Sequence, residues 1–416
     1  MTTAYTHQVK LVATIHEETQ DAAINAIGSL PADADVVEVR LDAFGGSCDF
    51  RAIRAATAKP IIVTNRGGAP IDADAAIAAG IDLVDVEYGQ KATHPDRTVL
   101  SFHDFESVPD LQPLLRAMTA FGCAHTKIAV TPHTLRENEE LLAAVRPGLT
   151  IFGMGERGLY SRILAPFFGS ELAFVGNAAP GQISLERARE IYGEDHQLRK
   201  PEKIFAIAGN PAGHSLSPSI HNPLFRKRGV RAAYTIASFE SFDEIADAFE
   251  KGRIAGLSIT APFKEDAFRF ARSRGAEILP NAELAEAVNT LVRHSDGHIV
   301  AENTDVDGLT ILIQPQYPRR AAVIGAGGTA RAALVALDSL NIDAVVYNRT
   351  PKSGALPLEK LREFDGDLII DTLPPGVRVE MPAGVPVIAA AYDRGGLQLL
   401  HAQAGPQYDL FLEAFE

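Results

Sequence analysis

Short runs of aliphatic and β-branched residues recur along the first half of the chain, each bounded by polar or turn-forming residues. They are VKLVATI from Val9, VVEVRLD from Val36, PIIVTNR from Pro60, DLVDVEY from Asp82, RTVLSFHDF from Arg97, TKIAVTP from Thr126, LTIFGMG from Leu149 and LAFVGN from Leu172. Stretches rich in alanine and leucine, such as DAAINAIGSL from Asp21 and ENEELLAAVR from Glu137, fill most of the gaps and carry a helical period. Strands alternating with helices predict a parallel (β/α)8 TIM barrel over residues 1–195, with its chemistry at the C-terminal ends of the strands. That interval is short for a fold of typically about 250 residues, so several helices must be short.

The pattern changes at EDHQLRKPEK, from Glu194 to Lys203, a charged stretch with Pro201 that reads as a linker. KIFAIAGNPAGHSLSPSIHN follows, from Lys203 to Asn222. It begins as a strand (Ile204 to Ala208), breaks at Gly209, Pro211 and Gly213, and presents His214, Ser215 and Ser217 before Pro218, which suits the first turn of a helix. GLSITAPFKEDA from Gly256, AEAVNTLV, AENTDVDGL, AAVIGAGGTARAALVAL from Ala321 and AVVYNRT continue a second α/β unit. This half reads as two lobes. One spans 203–310 together with a closing helix at 397–416, and the other is a Rossmann-type lobe at 318–396.

Composition narrows the function. The chain has 416 residues, 46% hydrophobic and 22% charged, and its 39 basic against 53 acidic residues give a formal net charge of −14. No basic run is present, which argues against nucleic acid or an anionic membrane as partner and leaves small anionic substrates open. Two cysteines, Cys48 and Cys123, without metal-ligand spacing, predict neither a disulfide framework nor a metal site. No secretory leader or membrane-spanning apolar run is visible, so a reducing cytoplasm is the expected location.

The polar residues near the barrel strand ends are Glu38, Arg40, Arg66, His103, Lys127, Arg162 and Gln182. Taken alone, a strand lysine is usually an edge residue reaching for solvent. Lys127 sits inside KIAV, where burial would lower its pKa toward the neutral amine. A neutral amine attacks a ketone to form an imine, and His103 on the neighbouring strand could move a proton beside it. Arg162 and Arg66 would hold a carboxylate.

EVRLD, SFHDF, KIAV, LYSRILAPFFGSELAFVG and APGQIS, taken together and in order, resemble the type I 3-dehydroquinate dehydratase family from Val9 to Tyr192. The resemblance implies a Schiff base between Lys127 and the substrate ketone, with His103 as general acid and base for loss of water. It also implies substrate contacts at Glu38, Arg40, Arg66, Arg162 and Gln182. Two departures stand out. The family places a Glu a few residues after the third-strand Arg, close to the catalytic His, whereas Arg66 here runs into Gly67 and Gly68. A hydroxylated residue upstream of the PGQ is replaced by Ala178 or Ala179.

In the second half the strand, glycine turn and helix of VIGAGGTARAAL place Gly325, Ala326, Gly327 and Gly328 where a backbone can approach a pyrophosphate. The next strand ends in Asn348, Arg349 and Thr350, with Lys352 nearby, rather than in an acidic residue, so NADP is the expected cofactor. From Ile204 onward the motifs resemble the shikimate dehydrogenase family. That resemblance implies shikimate contacts at Ser215, Ser217, Thr260, Asn289 and Gln403, and a catalytic pair of Lys264 and Asp305. The segment from DTLPPGV at Asp371 to AYDRGGLQLLHAQAG is shorter than is usual there. The order of the two halves resembles a bifunctional fusion that dehydrates 3-dehydroquinate and then reduces 3-dehydroshikimate to shikimate. A ligand sensor without turnover and an NAD-dependent quinate dehydrogenase are the competing readings.

Overall fold

The computed structural model describes residues 6–45, 48–350 and 354–416. Eight parallel strands form one curled sheet: β1 (Lys10–Ile15), β2 (Val36–Arg40), β3 (Ile61–Thr64), β4 (Leu83–Glu87), β5 (Thr98–Asp104), β6 (His125–Val130), β7 (Leu149–Gly153) and β8 (Leu172–Val175). Their order is β7-β6-β5-β4-β3-β2-β1-β8, a nearly closed barrel in which β1 pairs with β8. All eight strand runs seen in the sequence are present, and the expected barrel is observed.

Side chains alternate across each strand. One set points outward under the helices, where Val37, Val39, Ile61 and Val63 pack against Ala23, Ile27, Ile53 and Ala76. The other set fills the barrel with Val12, Val36, Ile62, Val99, Ala129, Phe152 and Phe174. Burying such residues contributes about 1.5–3 kcal/mol each for the larger ones. The same inward positions, continued toward the C-terminal mouth, become polar: Thr14, Glu38, Thr64, Asp85, Ser101 and Lys127 are all buried. The barrel is compact because its helices are short, from six residues (Phe50–Ala55) to ten (Leu135–Ala144). The longest is held at its start by a capping box between Thr134 and Glu137.

The stretch read as a linker is partly ordered. Gln197–Arg199 pairs antiparallel with Thr6–Gln8, with Leu198 buried and its two neighbours exposed. Alternation over three residues is enough for this, and charge alone did not reveal it. The chain divides into two compact units, Met1–Glu202 with Pro211–Phe239, and Lys203–Asn210 with Glu240–Glu416. Residues 211–239, which the sequence groups with the second half, thus pack with the barrel. They form the helix Ser217–Lys227 and strand β10 (Ala232–Ser238). Asn222 ties the two together, donating from Nδ2 to Tyr234 O at 2.9 Å and accepting from Tyr234 N at 2.9 Å. Thr235 Oγ1 donates to Tyr160 O of the barrel at 3.1 Å.

The second unit contains strands β9 (Lys203–Gly209), β11 (Gly256–Ile259), β12 (Glu277–Ile278), β13 (Thr290–Arg293) and β14 (Ile299–Glu302), adjacent in the order β9-β11-β13-β14-β12. Its second sheet is wholly parallel: β15 (Arg320–Ile324), β16 (Asp343–Asn348), β17 (Leu356–Pro357), β18 (Leu368–Asp371) and β19 (Val387–Ala389), in the order β17-β16-β15-β18-β19. The helix Leu397–Glu413 packs on Asp305–Ile313. Gly308 permits that approach, since a Cβ there would stand 2.9 Å from Gln403 Cβ.

Candidate active sites

A cavity with about 640 Å³ of empty space, its open mouth included, lies at the C-terminal end of the barrel. Its walls include Glu38, Arg40, Arg66, His103, Lys127, Arg162 and Gln182, so every residue singled out in the barrel from the sequence meets there. Lys127 projects inward from β6 and its side chain is 6% exposed. Its Nζ lies 3.3 Å from Glu38 Oε1, 4.0 Å from Asp85 Oδ2 and 3.6 Å from the centroid of the Phe174 ring. Burial, helped by Arg66, draws the Lys127 pKa below its ordinary value against the pull of Glu38 and Asp85. Glu38 is held by Thr14 Oγ1 at 2.8 Å and Thr64 Oγ1 at 2.9 Å. Burial pushes its pKa up, but Lys127 and the other donors outweigh this and keep the carboxylate ionised.

His103, on β5, has its acid after all. Glu87, the last residue of β4, sets Oε2 3.0 Å from His103 Nδ1, and its Oε1 accepts the His103 backbone N–H at 3.0 Å. The Glu expected after Arg66 is missing, but strand β4 supplies one from the next position around the barrel. Glu87 is ionised, because His103 and Arg66 outweigh the upward push of burial on its pKa. An ionised carboxylate only accepts, so Nδ1 carries the proton and Nε2 has the lone pair. Burial holds the His103 pKa below its usual value, with Arg66 and Lys127 adding to the effect and Glu87 opposing it.

The three arginines differ. Arg66 makes two bonds to Asp85, at 2.8 and 2.7 Å, and one to Glu87 at 2.7 Å. Its guanidinium thus neutralises the buried acids. Arg40 pairs with Asp42 through Nε at 3.0 Å and a terminal nitrogen at 2.7 Å. Arg162 has no carboxylate partner among the described residues. Its Nε donates to Gly153 O at 3.2 Å, the guanidinium lies 4.1 Å from the Phe152 ring, and burial lowers its pKa to about 10. A buried cation of this kind is costly unless a ligand carboxylate completes it.

Gln182 closes the cavity. Its Nε2 donates to Thr14 Oγ1 at 3.0 Å, and its Oε1 accepts the amides of Ala178 (2.8 Å) and Ala179 (3.1 Å). The amides at the two positions where a hydroxylated side chain was expected are thus committed to Gln182. The turn needs Gly181: its φ is +73°, and a Cβ would lie 2.3 Å from Gly155 O.

In the second unit Lys264 begins the helix Lys264–Ser273 and Asp305 begins Asp305–Ile313. Lys264 Nζ is ion-paired with Asp305 Oδ2 and donates to Thr329 Oγ1 at 2.7 Å. Asn289 Nδ2 donates to Asp305 Oδ1 at 2.8 Å and to Thr304 Oγ1 at 3.0 Å, and Thr304 Oγ1 donates to Gln403 Oε1 at 3.0 Å. The sequence reading missed Thr329, the fifth residue of GAGGTAR, and Gln407, which accepts from Ser258 Oγ at 2.6 Å and donates to Thr290 Oγ1 at 2.8 Å. The i, i+4 spacing of Gln403 and Gln407 on one helix was the available signal. Thr260 directly follows this unit's strand β11, its N–H bonded to Ala208 O at 2.9 Å. Ser215 and Ser217 are buried in the first unit, where Ser215 Oγ accepts the Ser217 N–H at 3.2 Å.

The glycine turn leads from β15 into the helix Gly328–Ser339. Gly325 has φ +112°, and a Cβ there would meet Thr372 Oγ1, so no other residue fits. Ala326 and Gly327 are exposed at the helix N-terminus, a fit for a pyrophosphate. Beyond β16, Asn348 Oδ1 accepts the Arg349 amide at 3.0 Å, and Arg349 and Thr350 are exposed. Lys352 lies outside the described residues. The segment after β18 is braced by Arg394, which pairs with Asp371 at 2.6 Å and donates to Val377 O at 2.9 Å. Among the described residues, no group of three or more His, Cys, Asp or Glu could hold a metal ion, and no helix is long and apolar enough to cross a membrane.

Comparison with known proteins matches the two halves of the chain to two families. Residues 11–199 match the type I 3-dehydroquinase family and residues 207–291 match the shikimate dehydrogenase substrate binding domain. The chain is similar to a chloroplastic bifunctional 3-dehydroquinate dehydratase/shikimate dehydrogenase of Arabidopsis thaliana, 28% identical over 76% of this chain and 61% of the relative. It is also similar to the shikimate biosynthesis protein AroDE of Chlamydia pneumoniae, 29% identical over 69% of this chain and 64% of the relative. The chain thus spans under two thirds of the length of each. The dehydroquinate dehydratase and shikimate dehydrogenase of S. pombe AroM aligns over 97% of this chain and 96% of its own, at 21% identity and a TM-score of 0.39. The polypeptide thus carries a type I 3-dehydroquinase domain at residues 11–199, followed by a shikimate dehydrogenase substrate binding domain at residues 207–291.

Proposed function

We propose that the chain dehydrates 3-dehydroquinate in the barrel and reduces the product, 3-dehydroshikimate, to shikimate with NADPH in the second half. The observation that carries this reading is Lys127, buried with a lowered pKa in a cavity that also holds the basic Nε2 side of His103 and the uncompensated Arg162. Arg162 would take the substrate carboxylate. The Lys127 lone pair adds to the ketone carbon, and loss of water leaves a protonated imine that acidifies the neighbouring C–H. His103 removes that proton, and the hydroxyl one carbon further leaves, protonated, as water. Hydrolysis of the imine then frees the product and Lys127, so the net change is loss of one water. Glu38, 3.3 Å from Nζ, steadies the cationic intermediate.

NADPH, when bound, supplies a hydride. Gly325, Gly327 and the helix N-terminus fit its pyrophosphate, and exposed Arg349 in place of an acidic residue favours the 2′-phosphate. Lys264 and Asp305 hold the carbonyl oxygen and deliver its proton, with Asn289 orienting Asp305. Borohydride added with 3-dehydroquinate should fix the reduced ligand's mass on Lys127; folded protein in which that lysine stays unmodified would contradict the imine route.

A further inference from the structure

A second hollow in the first unit holds about 880 Å³ of empty space, its open mouth included, and shares no residue with the barrel cavity. Arg146 and Pro147 line it from the loop before β7, and Phe168 and Glu171 from the end of the turn and the loop before β8. It therefore lies at the N-terminal end of the barrel, whereas the chemistry of this fold sits at the C-terminal end. Arg199 closes the short strand paired with Thr6–Gln8, Lys200 follows it, and Arg231 stands immediately before β10. The wall thus sets four cations, Arg146, Arg199, Lys200 and Arg231, against one carboxylate, Glu171, in a chain of net charge −14. Arg231 is paired with Glu202, which is not part of the wall. Among the described residues Arg146, Arg199 and Lys200 make no ion pair, and Arg146 donates to Thr119 Oγ1 at 3.2 Å. The rest of the wall is largely apolar. Phe167 is buried with its ring centroid 5.6 Å from that of Tyr192, and Phe168 is half-buried with Lys200 Nζ 5.4 Å from its centroid. Backbone contacts hold these pieces together: His7 Nε2 bonds to Pro166 O at 2.5 Å, and the Glu202 amide donates to Arg231 O at 2.7 Å.

We infer that this hollow is a second ligand site, separate from the dehydratase centre, for a small organic anion that joins a carboxylate or phosphate to a flat apolar body. Cations gathered around a concave, partly apolar wall focus a positive potential, and guanidinium groups match the planar or tetrahedral oxyanion. Arg146, Arg199 and Lys200 spend no charge on a protein carboxylate, so an incoming anion relieves their mutual repulsion rather than displacing a partner. Phe168, Pro147 and the edge of Phe167 take the apolar body, in a space of the size that small-molecule sites occupy. Glu171 disfavours a cationic ligand less than the four cations do, so the sign of the ligand is set by the majority.

The test titrates phenyl phosphate and benzoate separately into the full chain by calorimetry. At least one should bind, and the tighter of the two tells phosphate from carboxylate. Reversing two exposed cations together, Arg199→Glu with Lys200→Glu, should weaken that binding about tenfold or more. Thermal unfolding of that variant should stay close to the parent's, because both side chains are on the surface. Arg162→Ala, in the other cavity, should leave the binding within about twofold. Inorganic phosphate should bind about tenfold more weakly than phenyl phosphate if the apolar wall contributes. If the double variant does not fold, Arg146→Glu takes its place and must show the same loss. Three results would overturn the inference: no binding of either probe at about 10 mM, equal affinity in the parent and a folded charge-reversed variant, or binding lost with Arg162→Ala instead.

Discussion

Glu87 Oε2 stands 3.0 Å from Nδ1 of His103, so the imidazole is oriented by an acid from the neighbouring strand. Glu87 is also the group that opposes the fall in the His103 pKa caused by burial. Replacing it should therefore lower that pKa further. For Glu87→Gln, the acid limb of the dehydratase profile should move to lower pH, because the group that holds the His103 pKa up against burial is lost. Turnover should fall about 10- to 100-fold through loss of orientation. A profile superimposable on that of the parent would show that His103 does not titrate in the reaction.

Among the described residues no carboxylate pairs with Arg162 in the cavity wall, unlike Arg66 and Arg40. Arg162→Lys keeps the charge but loses the planar fork. It should raise KM for 3-dehydroquinate about 10-fold or more, with a smaller change in kcat. An equal or larger effect from Arg40→Lys would move the carboxylate site toward Arg40.

Lys264 is held between Asp305 and Thr329, the latter at the start of the helix after the glycine turn. Lys264→Ala should cut NADPH-dependent turnover about 10²-fold or more and leave dehydration intact. Thr329→Val removes one acceptor from the lysine and should cost about tenfold in the same assay. Turnover near the parental rate in both variants would refute the lysine's role.

Arg349 is exposed where an acidic residue would meet a ribose hydroxyl. Arg349→Ala should raise KM for NADPH about tenfold and leave KM for NADH nearly unchanged. Equal effects on the two cofactors would mean that the guanidinium does not read the 2′-phosphate.

The barrel was legible because its strands are short, strongly apolar runs whose spacing leaves room for little but helices. Its site was legible because Glu38, His103 and Lys127 interrupt those runs where only a buried function tolerates charge. Glu87 was not, because VDVEY reads as an ordinary strand end, and only the barrel's strand order brings it beside His103. Arg66 was visible as a cation, but its commitment to Asp85 depends on β3 and β4 being neighbours. The association of residues 211–239 with the barrel rests on Glu156, Arg187 and Thr235, whose sequence neighbourhoods carry no mark of it.

Two sites acting in sequence on one chain would couple dehydration of 3-dehydroquinate to oxidation of NADPH. The direct test is to mix the purified protein with NADPH and 3-dehydroquinate, with no other enzyme, and follow absorbance of the reduced cofactor. Steady consumption is expected, abolished by either Lys127→Ala or Lys264→Ala and restored in the first of these by added 3-dehydroshikimate. No consumption by the parent protein with either substrate would contradict it.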